Sequence, residues 1–206
     1  IMANSETLLN GALDNKKDAK IFAKAILHNS ERLSSMVSDL IDLSRIEYGD
    51  LKLNIKGIDF NDFMESFLVS MKSVAKKRDI ELKYNPDHQG LLSADTQALE
   101  RIMNNLLDNA YKYSDEGTLV EVSTKDQGKM IKVMVADSGV GVSDEDQEHI
   151  FDRFYRTASA RASDNKGSGL GLAIVKNLIN SLNGEVGITP KKTSGSIFWF
   201  TIPKSK

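Results

Sequence analysis

The chain has 206 residues, with 27 Lys and Arg against 29 Asp and Glu, a formal net charge of −2 and no cysteine. The near-neutral balance and an isoelectric point of about 6.0 argue against a nucleic-acid partner, and the missing cysteines exclude a disulfide scaffold, a thiolate zinc site and a cysteine nucleophile. No apolar run reaches the roughly 18–20 residues needed to cross a bilayer, so we expect this stretch of chain to be soluble and to make no membrane contact.

The first quarter of the chain has the pattern of a helical hairpin. Between Asp18 and Glu47 there is no Gly or Pro, and apolar residues recur at alternating spacings of four and three, with Asn29 in the one polar position. The apolar positions are Phe22, Ile26, Leu33, Met36, Leu40 and Leu43. This heptad predicts a long helix with a bundle seam, and residues 1–13 predict a shorter helix before it. We expect the seam to be buried against a second copy of the chain; packing on its own domain is the alternative.

The helical spacing stops at Tyr48, and Leu51, Leu53 and Ile55 then alternate with polar residues, which predicts a half-buried strand. We place a domain boundary here, giving a helical part at 1–48 and a second domain at 49–206. The second domain is predicted to have helices near 61–77, 96–113, 144–151 and from about 170, and strands at 80–84, 120–124, 130–136, 184–188 and 196–202. Strands grouped as hairpins with helices between them indicate an α+β fold.

A glycine-rich stretch, Gly167–Ala173, runs directly into an apolar-periodic helix. Glycines allow backbone N–H groups to approach an anion, and a helix N-terminus adds free donors and a partial positive charge. The stretch has neither the Lys-Ser/Thr of a P-loop nor the spacing of a dinucleotide fingerprint. It therefore predicts a phosphate site or, equally well by itself, a tight turn.

A carboxylate follows the strand at 130–136, in the segment Asp137-Ser138-Gly139-Val140-Gly141. An ionised Asp only accepts hydrogen bonds, so a buried Asp137 would accept from an exocyclic amine such as that of adenine and would oppose the carbonyl of guanine. An unmade pairing costs about 1–3 kcal/mol, which is roughly ten- to a hundredfold in affinity. The alternative is that the segment only ends the strand.

Three polar residues share one face of the helix predicted at 96–113. Asn105 and Asn109 are four apart, and Lys112 is three beyond Asn109. An amide oxygen suits Mg²⁺, which binds through few protein groups plus substrate phosphates, and Lys112 would neutralise phosphate charge. Tyr113 is placed to pack on a base. A solvated helix face is the competing interpretation.

In this order, the three motifs resemble the ATP-binding catalytic region of the bacterial sensor histidine kinases of two-component systems, over essentially the whole chain. Residues 105–113 are similar to the family's N box, 137–141 to its G1 box, 151–156 to its F box and 167–172 to its G2 box. The resemblance implies a Bergerat-type ATP-binding α/β sandwich. In that fold a mixed, mostly antiparallel sheet carries helices on one face, here preceded by the helical hairpin of a dimeric bundle.

The resemblance also implies a role for each matching residue. Asn109 would hold Mg²⁺ together with the ATP phosphates, Asp137 would read the adenine amine, and the stretch Thr157–Lys166, which lacks apolar anchors, would be a mobile lid. The implied catalytic residues are Asn105, Lys112, Arg153 and Arg156. The implied nucleotide-binding residues are Asn109, Tyr113, Asp137, Gly139, Gly141, Gly167, Gly169, Leu170, Gly171 and Leu172.

One motif of the family has no match. Its acceptor His lies in a His-Glu/Asp-x-x-Thr/Asn-Pro segment near the start of the first helix, and none of His28, His88 and His149 lies in such a segment. We therefore expect all three histidines to be surface or structural residues. We also expect the chain to begin after the acceptor and to contain no residue of its own to phosphorylate.

The implied activity is transfer of the γ-phosphoryl of ATP to a His of a homodimeric bundle and then to an Asp of a response regulator receiver domain. The implied location is the cytoplasm, with the full-length protein anchored in the bacterial membrane. An ATPase of the gyrase, Hsp90 and MutL kind is one alternative, but those relatives carry a Glu where Asn105 stands, and an amide is no general base. A pseudokinase, which binds nucleotide without transfer, is the other.

Overall fold

The computed structural model describes residues 1–49, 51–162, 167–191 and 194–205. The chain divides into two compact units, Ile1–Asp42 and Leu43–Lys206. The predicted domain boundary between residues 48 and 49 directly follows the end of the long helix at Glu47. The compact units divide inside that helix, between Asp42 and Leu43. The domain assignment stays a prediction. No helix within the described ranges is both long and apolar enough to span a membrane.

The first unit is helical. It contains α1 (Met2–Leu9), one 3₁₀ turn (Ala12–Asp14) and most of α2 (Lys16–Glu47), so the predicted long helix is confirmed. α1 has no buried residue, and two residues of the predicted seam, Leu33 and Leu40, are 53% and 42% exposed. The Asn29 side chain donates to the Ala25 carbonyl at 2.8 Å, so its amide is satisfied within the helix. The seam therefore presents apolar surface that the unit itself leaves uncovered.

The second unit is an α/β sandwich. Its elements are β1 (Lys56–Ile58), α3 (Phe60–Lys77), β2 (Glu81–Asn85), β3 (Leu92–Ala94), α4 (Thr96–Tyr113), β4 (Leu119–Gln127), β5 (Met130–Ala136), α5 (Asp144–Gln147), α6 (Ala158–Ala162), α7 (Gly171–Ser181), β6 (Val186–Pro190) and β7 (Ser196–Pro203). Five strands form a sheet in the order β2-β4-β5-β7-β6. β2 and β4 are parallel, the other pairs are antiparallel, and β1 pairs with β3 in a separate small sheet.

Buried and half-buried residues alternate strictly along β5, which shows which face of the large sheet is buried. Ile131, Val133 and Val135 of β5 are buried, and the residues between them are half-buried. α4 and α7 pack against each other, and their apolar faces join the same core as these strands. On the opposite face the ammonium of Lys132 lies 3.8 Å from the centre of the Trp199 ring. The helices therefore cover one face of the sheet, as predicted.

The strand predicted to begin at Leu51 is wrong in its position. Leu51 and Leu53 do pack on the core, but the ladder begins only at Lys56, because its partner β3 has three residues. The backbone N–H of Asn54 donates instead to the Asp95 carboxylate at 2.8 Å. The helix predicted at 144–151 is also too long, since α5 ends at Gln147.

Candidate functional site

The site begins on α4, whose start is fixed by Asp95. The Asp95 side chain accepts the Ala98 N–H at 2.9 Å, a helix N-cap, and eight apolar residues of α4 are buried in the core. This packing leaves Asn105 and Asn109 half-buried on another stripe of the helix. The sequence-predicted polar face of α4 is therefore held in place by a rigid, capped helix.

Asn105 brings the glycine-rich stretch against α4. Its side-chain nitrogen donates to the Arg101 carbonyl at 2.8 Å, which turns Oδ1 toward Gly171. A Cβ on Gly171 would lie 2.6 Å from that oxygen, so a larger residue would require the Asn105 side chain to move. Two of the three predicted motifs are thus in direct contact.

Asn109, Lys112 and Tyr113 differ in their partners. Within the described part of the chain the Asn109 amide makes no hydrogen bond, and it is half-buried beside Asn105. Lys112 forms an ion pair with Asp108, so a phosphate would have to compete with that carboxylate. The Tyr113 backbone carbonyl lies against Gly139, where any Cβ would overlap it. This contact brings the third motif to the end of α4.

Asp137 continues the alternation of β5 and therefore faces the helices, with only 4% of its surface exposed. Its Oδ1 accepts both the Gly139 N–H at 2.9 Å and the Ser196 N–H at 3.1 Å. Among the described residues Oδ2 has no hydrogen-bond partner, so one acceptor oxygen stays available. Burial raises the pKa of the Asp137 carboxyl above its ordinary value, although these N–H groups and the Lys191 ammonium oppose the shift.

The β6–β7 connection clamps Asp137 from the other side, and sequence reasoning missed these residues. The Lys191 ammonium donates to the Asp137 carbonyl at 2.8 Å, and Gly195 approaches the same carbonyl so closely that a Cβ would overlap it. Ser196 is 1% exposed, and its hydroxyl is buried without a hydrogen-bond partner in the described structure. A buried hydroxyl requires a hydrogen-bond partner, so this residue, whose N–H already bonds Asp137, is a further candidate to contact a ligand.

The glycine-rich stretch is anchored at its centre and open at its start. Leu170 is fully buried in the core, and its N–H is bonded to the Ser168 hydroxyl at 3.2 Å. Gly169 has a φ of 75°, and Gly167 has no atom within 4 Å of a built Cβ. Leu172 is half-buried at the first turn of α7. Gly141, with a φ of 76°, closes the turn after Asp137.

The predicted lid is partly ordered. Ala158–Ala162 forms α6, and Ala160 is 5% exposed, so the expectation that the stretch lacks an apolar anchor is wrong for this half. The Arg156 guanidinium donates to the Ala160 carbonyl, and the Arg161 Nε donates to the Arg156 carbonyl at 2.9 Å. Arg153 is exposed. The rest of the predicted lid, residues 163–166 with Lys166, lies outside the described residues.

The three motifs are therefore joined through α4, which approaches Gly171 at Asn105 and Gly139 at Tyr113. Together they carry the open Asp137 oxygen, the Asn109 amide, Lys112 and the N-terminus of the 11-residue helix α7. A carboxylate acceptor suits an amine-bearing base, whereas an amide oxygen, a lysine and a helix N-terminus suit anionic oxygens with a hard cation. The arrangement fits a purine nucleotide polyphosphate.

Comparison with known proteins identifies the family of the chain. Residues 94–206 match the family model described as histidine kinase-, DNA gyrase B-, and HSP90-like ATPase. The sensor-like histidine kinase SenX3 of Mycobacterium tuberculosis is 34% identical over 199 residues, which is 97% of this chain and 48% of that protein. The chain thus spans about half the length of the curated relatives it matches.

Solved histidine kinases share the fold. The structure of the Acinetobacter baumannii histidine kinase AdeS superposes with a TM-score of 0.74 at 26% identity, covering 97% of this chain and 95% of the other. Full-length ShkA in complex with AMPPNP superposes with a TM-score of 0.78 at 26% identity, covering 100% of this chain and 45% of the other. These matches confirm the predicted fold class and the resemblance to sensor histidine kinases.

Proposed function

Because the chain belongs to the family of histidine kinase-, DNA gyrase B- and HSP90-like ATPases, we propose that it is the ATP-binding catalytic part of a sensor histidine kinase. In this proposal the domain delivers the γ-phosphoryl of ATP to a His of a dimeric helical bundle, and the group passes to an Asp of a response regulator. Anchoring of the whole protein in the membrane belongs to the same proposal.

The observation that carries the proposal is the single open oxygen of buried Asp137. Its Oδ1 is held by two backbone N–H groups, whereas Oδ2 accepts no hydrogen bond among the described residues, so in this proposal Oδ2 is the oxygen that accepts from the base. An acceptor there favours the adenine amine over the guanine carbonyl. The orphaned Ser196 hydroxyl supports the same assignment, because a base or an ordered water would satisfy it.

The phosphate end of the proposal rests on α4 and α7. Asn109 would hold Mg²⁺ by its amide oxygen, and Lys112 would leave Asp108 to meet a phosphate oxygen. When bound, Mg²⁺ would supply neutralisation of the phosphate charge. The N–H groups at the start of α7 face the same end, where a helix N-terminus favours negative charge. These residues bind and orient the triphosphate, which is most of what phosphoryl transfer requires of a protein.

The kinase assignment is preferred over the ATPase alternative because of Asn105. Activation of a water molecule requires a general base, and a carboxamide cannot act as one. The Asn105 amide is also engaged with Arg101 and lies against Gly171, so its contacts are those of a packing residue. The pseudokinase alternative keeps the binding site and differs only in transfer, which the following experiment measures.

A phosphotransfer assay tests the proposal. The chain is mixed with Mg²⁺, γ-labelled ATP and the full-length protein carrying Asp137→Asn, which retains the bundle and in this proposal loads little ATP at concentrations near the wild-type affinity. The same mixture without the chain measures any labelling that the acceptor performs by itself. We expect acid-labile, base-stable label on the full-length acceptor within minutes. ATP binding without any label would favour the pseudokinase, and steady phosphate release without label would favour the ATPase.

The seam of α2 supports a homodimer. Leu33, Val37 and Leu40 are 53%, 54% and 42% exposed, which is unusual for large apolar residues of one helix. We predict that Leu40→Lys shifts the light-scattering mass from dimer toward monomer, because an ammonium in a bundle seam loses its hydration. Ser38→Lys is the matched control, since Ser38 lies on the opposite side of α2 and is exposed. A dimer that survives Leu40→Lys unchanged would contradict this seam.

A further inference from the structure

A hydrogen-bond chain connects the segment after Gly141 to the segment before the predicted lid. Ser143 caps α5 and accepts the Asp146 N–H at 3.2 Å, while its hydroxyl donates to Asp146 Oδ2 at 2.6 Å. The Tyr155 hydroxyl donates to the other oxygen, Asp146 Oδ1, at 2.7 Å. Both oxygens of one carboxylate are thus used to join two parts of the chain that flank the site.

The negative charge of Asp146 strengthens the hydrogen bonds that it accepts from Ser143 and Tyr155. The hydrogen bonds from Ser143 and Tyr155 hold the pKa of the Asp146 carboxyl below its ordinary value, and the bond to Asp146 raises the pKa of the Tyr155 phenol. Asp146 is therefore ionised, and Tyr155 a neutral donor, at physiological pH. Hydrogen bonds to an ionised acceptor are short and about twice as strong as neutral ones.

Tyr155 reaches the glycine-rich stretch through the backbone. The Phe154 N–H donates to the Gly169 carbonyl at 2.9 Å, and a Cβ on Gly169 would lie 2.8–2.9 Å from backbone atoms of Phe154 and Tyr155. Phe154 itself has a φ of 61°, a left-handed conformation that its own side chain disfavours. The two backbones touch without a side chain between them, so Tyr155 supports Gly169 from one side while the buried Leu170 anchors the next residue in the core.

We infer that Tyr155, held by Asp146, is a positioning residue that sets the glycine-rich stretch Gly167–Leu172 in its phosphate-binding arrangement. This inference rests on the proposed function. The Asp137 carboxylate is held by the backbone N–H groups of Gly139 and Ser196, so the adenine end has hydrogen bonds of its own. A more mobile glycine-rich stretch therefore weakens nucleotide binding more when the nucleotide has more phosphates. We expect ATP to lose more affinity than ADP.

The chain offers a matched pair of variants. Tyr155→Phe removes one hydroxyl that donates to a side-chain oxygen at 2.7 Å, and Tyr84→Phe removes one that donates to Asn61 Oδ1 at 2.6 Å, away from the site. Binding of ATP and of ADP is measured by calorimetry for both. We expect the ATP-to-ADP affinity ratio to fall about fivefold in Tyr155→Phe, as for one lost hydrogen bond, and to stay unchanged in Tyr84→Phe. An unchanged ratio in Tyr155→Phe would overturn the inference.

Amide hydrogen exchange without nucleotide separates this inference from the proposed function. We expect faster exchange in peptides covering 152–156 and 167–172 in Tyr155→Phe but not in Tyr84→Phe, because the Phe154 N–H reports the contact with Gly169 directly. Equal exchange in wild type and Tyr155→Phe would overturn the positioning role, whether or not ATP binds. Failure of the wild type to bind ATP, with exchange still faster in Tyr155→Phe, would remove the proposed function alone.

Asp146→Ala provides an independent variant in the same chain of bonds. If Tyr155 acts through Asp146, Asp146→Ala lowers the ATP-to-ADP ratio about as much as Tyr155→Phe, and the double variant lowers it no further. Additive losses would show that the two residues act separately and would overturn the proposed route. A thermal melt of each variant establishes that the fold is retained.

Discussion

Asp137→Asn is expected to weaken ATP binding by about a hundredfold, the upper end of the roughly 1–3 kcal/mol cost of an unpaired buried polar group. The reason is directional. The N–H groups of Gly139 and Ser196 require an acceptor at Oδ1, so the Asn oxygen must take that place and the amide NH₂ must replace Oδ2. A donor then faces the adenine amine. Calorimetric titration with Mg·ATP measures the loss.

A stability measurement provides the control for this variant. Because burial raises the pKa of Asp137, the folded state binds more protons than the unfolded state between the ordinary and the raised pKa. Wild-type stability therefore falls as the pH rises through that window, and the loss persists above it. Asn carries no such cost, so Asp137→Asn should melt at or above the wild-type temperature at neutral pH. A variant that binds ATP with wild-type affinity would remove the adenine-reading role.

Local signals in the sequence were enough for the elements that carry the site. The helix α4 is predicted at 96–113, its observed range, because the apolar spacing is helical throughout. The alternation of β5 likewise places Asp137 on the face of Val133 and Val135. In both cases the pattern that predicts the structure lies within a few residues of it, and hydrophobic periodicity detects patterns of this kind.

The errors arose where a distant partner decides the local structure. Leu51 and Leu53 alternate like a strand, but a ladder needs a facing strand, and β3 offers only Leu92–Ala94. A three-residue strand has no period, so β3 itself gave no signal. Similarly, Ala160 looked like a solvated lid residue in sequence, yet it is buried, and Arg156 bonds to its carbonyl.

The surroundings of Asp137 were the least accessible to sequence reasoning. Lys191 and Ser196 contact it across 54 and 59 residues of chain, and neither has a local pattern that marks such a contact. Gly195 was visible only as part of a final strand motif, whereas its close approach to the Asp137 carbonyl explains why a glycine stands there. The sequence predicts Asp137 as a hydrogen-bond acceptor, and only the fold shows the distant groups that orient its carboxylate.

The second large effect is expected from substitution of Asn109, the residue that we propose holds the cation. Asn105 and Asn109 have the same side chain on one helix, but their contacts separate them. The Asn105 amide is engaged with Arg101 and Gly171, whereas the Asn109 amide makes no hydrogen bond among the described residues. An open, half-buried amide oxygen one helical turn from Asn105, which contacts the start of α7, is available in our proposal to a hard cation, which takes few protein ligands.

Asn109→Ala should therefore abolish the gain in ATP affinity that Mg²⁺ provides, an effect of about 10–100-fold by comparison with other perturbed metal sites. Titrations with ATP in Mg²⁺ and in excess chelator measure the gain as a ratio, so a general loss of affinity cancels. Asn104→Ala is the matched control, because Asn104 neighbours Asn105 on α4 and is exposed. If Asn109→Ala kept the full Mg²⁺-dependent gain, the cation would have to be held elsewhere, and Asn109 would be only a polar residue of the helix face.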